Sequence, residues 1–402
     1  MKILLVHNFY GSSNPSGENK VFEIEKNLLL ENGHQIDTFI RKSDEILTKA
    51  IKGLLIGAFS TPWNPRSARR IQKKVEEFKP DIVHVHNTFP LISPAIFHAI
   101  GKRAARVLTL HNYRLFCPAA IPMRNGHVCT ECIDRRSVIP AIRYGCYRNS
   151  RLATSPLALN VWLHRTLNTW NNEVDGFIAL TEFQKNLMIK SGLPSEKVHV
   201  KPNFYSGNPE ILKWEDRGNI VVFAGRLSQE KGVKSLVQAW LNWGEASPEL
   251  RILGDGPLRN TLETMASKKP DCRIRFLGQV SSQETEQNIS KAKLLILPSE
   301  WFEGFPMVIR EAFAFGTPVA ASNIGPLPSI VRNGLNGVIF EPGNHESLLH
   351  TVQAIWNSQE KLKSLGEGAR KSFLDKYTEE ANYKILMRIY DSAISQNKQQ
   401  SQ

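Results

Sequence analysis

The chain has 402 residues, and its 51 Lys and Arg outnumber its 38 Asp and Glu to give a formal net charge of +13. This length predicts two domains of about 200 residues each, and no apolar run approaches the ~18 residues of a membrane-spanning helix. The excess charge lies in residues 1–205, which carry 28 basic and 16 acidic side chains, against 23 and 22 in residues 206–402. We therefore expect an anionic partner for the N-terminal half only: a nucleic acid, an anionic membrane surface or a phosphorylated acceptor.

Apolar, strand-like runs alternate with helix-length segments along the whole chain, which is the pattern of an α/β protein. The predicted strands are 3–7, 35–40, 82–86, 106–110, 176–180 and 198–201 in the first half, and 220–224, 249–253, 273–277, 294–297, 318–321 and 337–340 in the second. A stretch with Pro and Gly at 202–209 is the predicted linker. The simplest architecture is two successive doubly wound sheets with a cleft between them, and ligands are expected at the carboxyl ends of the strands.

A Gly- and Ser-rich loop at 11–20 leads from the first strand into an amphipathic helix predicted over 19–32. Small residues at a helix N-terminus let backbone N–H groups approach an anion, although many such loops are plain turns. The apolar residues that begin the chain are too few for the core of a signal peptide, so we expect a cytoplasmic protein.

An apolar segment at 52–63 is followed directly by basic residues. This pattern suits contact with an anionic bilayer. A core helix with a solvated basic face explains it equally well, so both interpretations stay open. The basic residues are Arg66, Arg69, Arg70, Lys73 and Lys74.

Histidines occur in or directly after two neighbouring predicted strands. His84 and His86 alternate along strand 82–86, and we interpret His84 as a hydrogen-bonded core residue. His86 is nearer the exit of that strand. His111 directly follows strand 106–110, which predicts a position at the strand's carboxyl tip, facing the cleft.

Four cysteines, Cys117, Cys129, Cys132 and Cys146, lie within thirty residues, and 129–132 is a C-x-x-C motif. In a cytoplasmic protein this density predicts a structural zinc site in an insertion at 112–150. Buried reduced thiols, or a disulfide in an oxidising setting, are the alternatives. The insertion is also expected to shape the choice of acceptor through the arginines within it and directly after it. These are Arg114, Arg124, Arg135, Arg136, Arg143, Arg148 and Arg151.

Two cations flank the turn after the strand that opens the second half. Arg226 and Lys231 lie in a loop that has glycines at 225 and 232. Together they are suited to clamp two adjacent phosphates without a metal, the alternative being two solvated surface cations. A tight turn at 254–258 either faces a planar base or is only a turn.

Glu303 and Glu311 lie eight positions apart, after the predicted strand 294–297. Glu303 is in a Gly/Pro turn, and we place Glu311 about two turns into the following helix, so that its carboxylate points back toward the helix start. A strand end, a glycine and a helix N-terminus form a corner suited to polyols and phosphates. The alternative has Glu303 capping the helix and Glu311 on a solvated face, although the aromatic neighbours argue against solvation of Glu311. Further on, an amphipathic helix is predicted over 373–390.

Three motifs in this order and spacing resemble the family 4 glycosyltransferases of the GT-B fold: Gly-Arg-Leu-Ser-Gln-Glu-Lys-Gly at 225–232, Gly-Asp-Gly-Pro-Leu at 254–258, and Pro-Ser-Glu-Trp-Phe-Glu-Gly-Phe-Pro at 298–306 followed by Glu311. The resemblance covers nearly the whole chain and is strongest in 220–345. It implies an α/β GT-B fold with two doubly wound Rossmann-like domains facing a central cleft. Residues 1–205, with the insertion, are then the acceptor-binding domain, 206–372 the nucleotide-sugar domain, and 373–395 a helix that crosses back to the N-terminal domain.

The resemblance also implies roles for single residues. Arg226 and Lys231 hold the diphosphate, and the Gly17 backbone closes on it from the N-terminal side. His111 is placed near the 6-position of the sugar, and Glu311 binds the ribose hydroxyls. Sugar hydroxyls are received by the Glu303 carboxylate and by the backbone N–H groups of Gly304, Phe305 and Met307. The implied catalytic residues are His111, Arg226, Lys231 and Glu303.

The implied function is transfer of a hexose, with retention and without a catalytic metal, from a nucleotide-diphosphate sugar to a cell-envelope polysaccharide, glycolipid or lipid-linked acceptor. Such an enzyme is expected at the inner face of the membrane as a peripheral protein, with no nucleic-acid partner. A nucleotide-sugar epimerase or hydrolase of the same fold is the enzymatic alternative. A zinc-containing, basic nucleic-acid-binding protein is the non-enzymatic one, and it leaves Glu303 and Glu311 unexplained.

Overall fold

The structure is a computed structural model that describes residues 1–11, 16–47 and 50–399. Two compact units divide the chain. The first contains Met1–Pro122, Cys129–Pro202 and Asn382–Gln402, and the second contains Met123–Val128 and Asn203–Ala381. Within the described residues, no helix is both long and apolar enough to span a membrane.

The strands follow one another along the chain at short intervals. In chain order they are β1 (Lys2–Phe9), β2 (Gln35–Lys42), β3 (Ile82–Asn87), β4 (Ala105–Leu110), β5 (Met123–Arg124), β6 (His127–Val128), β7 (Gly176–Ala179), β8 (Val198–Val200), β9 (Ile220–Ala224), β10 (Glu249–Leu253), β11 (Ile274–Gly278), β12 (Leu294–Leu297), β13 (Val319–Ser322) and β14 (Gly337–Phe340).

Helices separate most of these strands. They are α1 (Gly17–Glu31), α2 (Asp44–Leu47), α3 (Ala50–Ser60), α4 (Pro65–Phe78), α5 (Ala95–Ile100), α6 (Glu131–Asp134), α7 (Ile139–Tyr144), α8 (Arg151–Thr166), α9 (Thr169–Asn172), α10 (Glu182–Lys190), α11 (Val233–Trp243), α12 (Arg259–Ser267), α13 (Ser282–Lys291), α14 (Met307–Ala314), α15 (Leu327–Ile330), α16 (His345–Trp356), α17 (Gln359–Lys376) and α18 (Glu379–Gln399).

The first unit is built on a six-stranded parallel sheet in the order β2-β1-β3-β4-β7-β8. Strands β3 and β4 are buried along their whole length, so even their polar residues, such as His84 and Arg106, lie inside the protein. The last helix, α18, packs into the same core with Leu386, Ile389 and Tyr390. Because β1, β3 and β4 are adjacent and parallel, their carboxyl ends meet at one edge of the sheet.

The second unit repeats the architecture with the order β11-β10-β9-β12-β13-β14, again all parallel. Its core is centred on β9, β10 and β12 and includes the fully buried Trp240, whose indole N–H donates to the Pro248 carbonyl at 2.9 Å. Strands β9 and β12 are neighbours, so the loops that follow them lie side by side. This adjacency brings the loop of Arg226 next to the loop of Glu303.

The predicted α/β architecture is confirmed, and each predicted strand corresponds to a strand of one of the two parallel sheets, with ends that agree closely. The single helix predicted over 373–390 was wrong, because α17 ends at Lys376 and α18 begins at Glu379. Tertiary contacts interrupt it: the buried Tyr377 packs on Phe305, and its carbonyl accepts a hydrogen bond from the Tyr205 N–H. Thr378 then caps the new helix through its Oγ1, which accepts from the Ala381 N–H.

Candidate functional site

The loop after β9 carries Arg226 and Lys231 and is held rigidly in the second unit. Gly232, at the start of α11, has φ +65°, and a Cβ there would lie 1.8 Å from the Pro298 carbonyl oxygen. Only glycine allows this left-handed backbone and the close approach of the two loops. The loop after β9 is thereby clamped to the exit of β12.

The tight turn at 254–258 supports the same loop from the other side. Gly254 has φ +133°, and a Cβ there would lie 2.0 Å from the Gly225 carbonyl oxygen. The Leu227 N–H donates to the Asp255 carbonyl, and the Leu258 N–H donates to the Leu227 carbonyl, each at 3.0 Å. The glycines of this turn therefore have a packing role, whereas contact with a planar base stays a prediction.

Lys231 and Glu303 form an ion pair beside this clamp. The Lys231 ammonium lies 2.7 Å from Glu303 Oε1, which also accepts a hydrogen bond from Ser299 Oγ at 2.7 Å. Glu303 is buried, whereas the Lys231 side chain is 22% exposed and lies over the Trp301 ring at 5.3 Å. Lys231 is thus held in place by an ion pair, with part of its side chain exposed to solvent.

Arg226 differs from Lys231 in having no local counter-charge. Its side chain is exposed, and among residues 1–11, 16–47 and 50–399 it has no hydrogen-bond or ion-pair partner. A guanidinium in this state is available for bidentate binding of a phosphate.

Unused backbone donors lie next to Glu303. In the part of the chain that the structure describes, the N–H groups of Gly304, Phe305 and Met307 donate no hydrogen bond. Met307 is the first residue of α14, so its N–H belongs to the positive end of that helix. The predicted receptors for hydroxyls or an anion are therefore present as unpaired donors.

The structure corrects the position of Glu311. Helix α14 begins at Met307, after Pro306, so Glu311 lies one turn into it rather than two. Glu311 is buried, with Oε1 3.8 Å from the guanidinium of the buried Arg310, and not on a solvated face.

A hairpin that sequence reasoning missed also belongs to the second unit. Strands β5 and β6 pair around Asn125 and Gly126, whose φ values of +52° and +80° are those of a tight hairpin turn. Its His127 is close enough to influence Glu300. Burial raises the pKa of Glu300, and this rise is partly opposed by a hydrogen bond from Ser235 and by the nearby His127. The Asn-Gly dipeptide was the available signal for this turn.

In the first unit, His111 follows β4 and is half-buried. Its Nε2 lies 3.0 Å from His86 Nδ1, and the two rings stack with centroids 5.2 Å apart. The next residue, Asn112, donates to Glu18 Oε1 at 2.9 Å and so ties this loop to the start of α1. Gly17 is the first residue of α1, while loop residues 12–15 before it lie outside the described residues.

Behind His111 lies a buried polar cluster. Glu25 Oε1 is 3.1 Å from His84 Nδ1 and 3.2 Å from His86 Nε2, and Glu25 Oε2 accepts from the Lys201 ammonium at 2.7 Å. His84 also contacts Thr109 Oγ1 at 2.7 Å and the Tyr390 hydroxyl at 2.8 Å. Sequence reasoning anticipated a hydrogen-bonded His84 but missed Glu25 and Lys201.

Glu25, His84 and His86 have ligand-type atoms within 4.8 Å of one another, and no other group of this kind occurs among the His, Cys, Asp and Glu of the described residues. A divalent ion at that point would face the Lys201 ammonium bound to the same carboxylate. Charge repulsion therefore favours the present ion pair over a metal site.

Comparison with protein families decides the identity of the chain. The family described as "Glycosyltransferase Family 4" matches residues 26–206, and the one described as "Glycosyl transferases group 1" matches residues 207–372. Together they cover residues 26–372 without a gap. The chain belongs to the family 4 glycosyltransferases.

Relatives of this family 4 member extend over most of its length. An uncharacterised glycosyltransferase of Methanocaldococcus jannaschii is 29% identical over 382 residues, which cover 91% of this chain and 92% of the relative. A second one from the same organism is 30% identical over 218 residues, 54% of this chain, and the match spans only 59% of that relative's length. The solved structure of the Anabaena protein HepE in complex with UDP has a TM-score of 0.64 and 17% identity, and covers 97% of this chain and 100% of its own. That likeness shows the GT-B fold.

A pocket opens beside His111 in the first unit of this family 4 member. Three buried polar atoms among its lining residues have no hydrogen-bond partner within the described residues: Arg114 Nε, Asn160 Oδ1 and Trp170 Nε1. Apolar walls complete it, including Phe97 and Leu115. Because buried polar atoms are rarely left unpaired, this pocket is suited to a polar ligand.

The four cysteines of the insertion lie in the first unit as reduced thiols rather than in disulfides. Burial, with Cys132 and Cys146 nearby, raises the pKa of Cys117 to about 12. Burial, with Cys146 and Cys129 nearby, raises the pKa of Cys132 to about 11. Among the described residues, no three of these cysteines have sulfur atoms within 4.8 Å of one another, so the zinc site stays a prediction.

The first unit also exposes an apolar surface with basic neighbours. Phe59 of α3 is 78% exposed and Leu152 of α8 is 87% exposed. Helix α3 packs against α8, and Trp63 stacks on His164 of α8 with ring centroids 5.8 Å apart. Further exposed apolar residues on these two helices are Leu55, Ile56, Leu159 and Trp162, and exposed basic residues of the same unit are Arg66, Arg69, Arg70, Lys73, Arg148 and Arg151.

Proposed function

We propose that this family 4 member transfers a sugar from a nucleoside-diphosphate sugar to a lipid-linked or otherwise anionic glycan acceptor, with retention of anomeric configuration. One observation carries the donor assignment. In the second unit, an exposed Arg226, a Lys231 held by Glu303 and the unpaired N–H groups of Gly304 and Phe305 occupy adjacent loops. Two cations suit a diphosphate, and a carboxylate beside N–H donors suits sugar hydroxyls.

In the proposed reaction, the bond between the sugar C1 and the β-phosphate oxygen breaks, and the acceptor oxygen bonds to C1 on the same face. The acceptor proton passes to the departing phosphate oxygen, so that atoms and charge balance. Negative charge grows on the diphosphate as the bond breaks. Arg226 and Lys231 stabilise that charge, which is why a catalytic metal is not needed in this proposal.

The acceptor side of the proposal rests on the first unit. The pocket next to His111 has unpaired polar atoms for glycan hydroxyls, and the exposed apolar residues of α3 and α8 with the neighbouring arginines suit an anionic bilayer. A peripheral protein at the inner membrane face, acting in the assembly of cell-envelope polysaccharide or glycolipid, is the setting that uses both features.

A ligand screen followed by product analysis tests this function. Melting temperature is measured with UDP, GDP and ADP and then with their sugar conjugates, and a nucleoside diphosphate is expected to raise it. The donor found is incubated with a lipid-linked acceptor in the presence of EDTA, and the anomeric proton coupling of the product reports retention. Inversion, or strict metal dependence, contradicts the mechanism proposed.

The same experiment separates transfer from the enzymatic alternative. An epimerase or hydrolase converts the nucleotide sugar without an acceptor, whereas a transferase gives a new glycoside only when the acceptor is present.

Membrane contact is tested by flotation with anionic vesicles, where Phe59→Ser should bind less than wild type. Leu374→Ser is the matched control, since Leu374 is 50% exposed but lies in the second unit.

A further inference from the structure

The Cys-rich insertion of the first unit has a small apolar core. Outside residues 123–128, its helices are α6 and α7, which have four and six residues. Chain segments of this size usually depend on a cross-link, either a disulfide or a metal ion. The cysteines form no disulfide, so a metal is the candidate cross-link. The buried apolar side chains of the insertion, prolines aside, are Tyr113, Phe116, Ala120, Cys132, Ile133 and Ala141.

The fold brings the four cysteines of this insertion into one region. Cys129 and Cys132 flank the first turn of α6, which packs against α7. Cys146 lies two residues beyond the end of α7, and its N–H donates to the Ala141 carbonyl at 3.1 Å. Burial raises the pKa of both Cys117 and Cys132, and Cys146 is near enough to each of them to raise it as well. Four thiols that include a C-x-x-C pair are a ligand set of structural zinc sites.

Backbone N–H groups are directed at two of the sulfurs. Burial has the largest influence on the pKa of both thiols and raises it. A hydrogen bond from the Ala119 N–H to Cys117 partly opposes this rise, and one from the Ala141 N–H does the same for Cys132. An N–H donor stabilises a negatively charged sulfur more than a neutral thiol, and such donors surround the thiolate ligands of metal sites.

Arg165 of α8 is a second, independent sign of negative charge at this place. Its Nε and Nη2 atoms are buried and have no hydrogen-bond partner in the part of the chain that the structure describes. Burial, and next the nearby Arg136, lowers the pKa of Arg165, whereas the nearby Cys132 raises it. The guanidinium also lies 5.5 Å from the Phe116 ring. Because a neutral thiol is a weak acceptor, reduced cysteines do not satisfy these buried N–H groups, whereas a thiolate centre does.

We propose that Cys117, Cys129, Cys132 and Cys146 bind one structural Zn²⁺ as thiolates, and that Arg165 is the counter-cation beside this centre. Zn²⁺ replaces the four thiol protons, which pass to solvent, so the doubly positive ion with its four thiolates has a net charge of two minus. Arg165 donates to a thiolate sulfur and neutralises part of that charge. Four protein ligands leave no open position for water or substrate, so the ion holds the insertion together and takes no part in catalysis.

The sulfurs reach this geometry through changes of side-chain rotamer. In the present arrangement of the described residues, no three of them lie within 4.8 Å of one another. A tetrahedral site needs Zn–S distances of about 2.3 Å, and rotation about the Cα–Cβ bonds is the movement that brings the sulfurs together.

Metal analysis of the full chain tests the ligand set. Wild type purified under reducing conditions without chelators should contain one zinc per chain, and Cys129→Ser and Cys132→Ser should each lose most of it. Cys272→Ser is the matched control and should keep its zinc, because Cys272 is buried in the second unit. Wild type with little zinc, or cysteine variants that retain a full equivalent, overturns the proposal.

Cobalt supplies the answer if the cysteine variants do not fold. Wild type produced in cobalt-supplemented medium should show the visible bands of tetrahedral Co²⁺ and an intense thiolate-to-cobalt absorption in the near ultraviolet. Absence of these bands overturns the zinc site. So does the absorption of an iron–sulfur cluster, or a disulfide among the four cysteines detected by alkylation and mass spectrometry under reducing conditions.

Variants of Arg165 test the counter-cation. Arg165→Met should keep the zinc but bind it about tenfold more weakly in competition with a chromophoric chelator. Arg165→Lys should recover most of this loss, because it restores the charge, whereas lost packing would affect both variants alike. Arg151→Met is the control, since Arg151 is exposed on the same helix. Zinc affinity of Arg165→Met equal to that of wild type removes Arg165 from the site. All of these readouts are independent of the proposed transfer reaction.

Discussion

The two units carry their charges in opposite ways. In the first unit, Glu25 and Lys201 are buried against each other, and Glu25 also lies against the imidazoles of His84 and His86, so the two charges are neutralised inside the protein. In the second unit, Arg226 is exposed without a partner among the described residues, and Lys231 is only partly covered by Glu303. The first arrangement buries its charges as an ion pair, and the second keeps positive charge available to a ligand. Fold alone therefore does not set electrostatics, since both units are built on similar six-stranded parallel sheets.

Acid should disrupt the first unit and leave the second nearly unaffected, and this is the largest effect we expect. Burial lowers the pKa of His7, His86 and His164 from 6.5 to about 4 in each case. The unfolded chain therefore binds more protons than the folded one between pH 6.5 and 4, so stability is fully present above 6.5 and is lost as the pH falls toward 4. Each such group contributes on the order of 3 kcal/mol.

Urea unfolding at a series of pH values between 4 and 7.5 measures this loss. His164→Gln should reduce the slope of the unfolding free energy against pH by the equivalent of about one proton. His350→Gln should leave that slope unchanged, because His350 is exposed. Constant unfolding free energy from pH 7 to 5 would show that these histidines are not held neutral.

Lys231→Ala tests whether the partly exposed cation of the second unit binds the diphosphate. Loss of a cation that stabilises the departing diphosphate should lower kcat by about 10²–10³-fold and weaken binding of the nucleoside diphosphate. Lys234→Ala is the matched control, since Lys234 is an exposed lysine in the first turn of α11. Activity within a few-fold of wild type would remove Lys231 from the proposed mechanism, and melting temperature checks that the variant is folded.

The strands of both sheets were predictable because parallel strands covered on both faces leave continuous apolar runs between loop residues. The buried polar cluster was not predictable, because Glu25 and Lys201 are 176 positions apart and only the fold joins them. One signal was nevertheless present, since Glu25 occupies the apolar stripe of α1 between the buried Phe22 and Leu29, where a carboxylate needs a buried partner. The end of α17 was unpredictable for a related reason: Tyr377 leaves the helix to pack on Phe305, a contact distant in sequence.

The smallest effect should come from Gly232→Ala compared with Gly244→Ala, two positions in the second unit with φ +65° and +77°. A Cβ at Gly244 meets nothing within 4 Å, so this variant should cost only the strain of a backbone conformation, with φ +77° and ψ −152°, that essentially only glycine adopts, about 1–3 kcal/mol. A Cβ at Gly232 would in addition lie 1.8 Å from the Pro298 carbonyl oxygen, which forces apart the loops of Lys231 and Glu303. We therefore expect Gly232→Ala to lose more stability than Gly244→Ala in urea unfolding and, unlike it, to weaken binding of the nucleoside diphosphate. If the two variants bind the nucleoside diphosphate with equal affinity, binding by Arg226 and Lys231 does not depend on the close contact between Gly232 and Pro298.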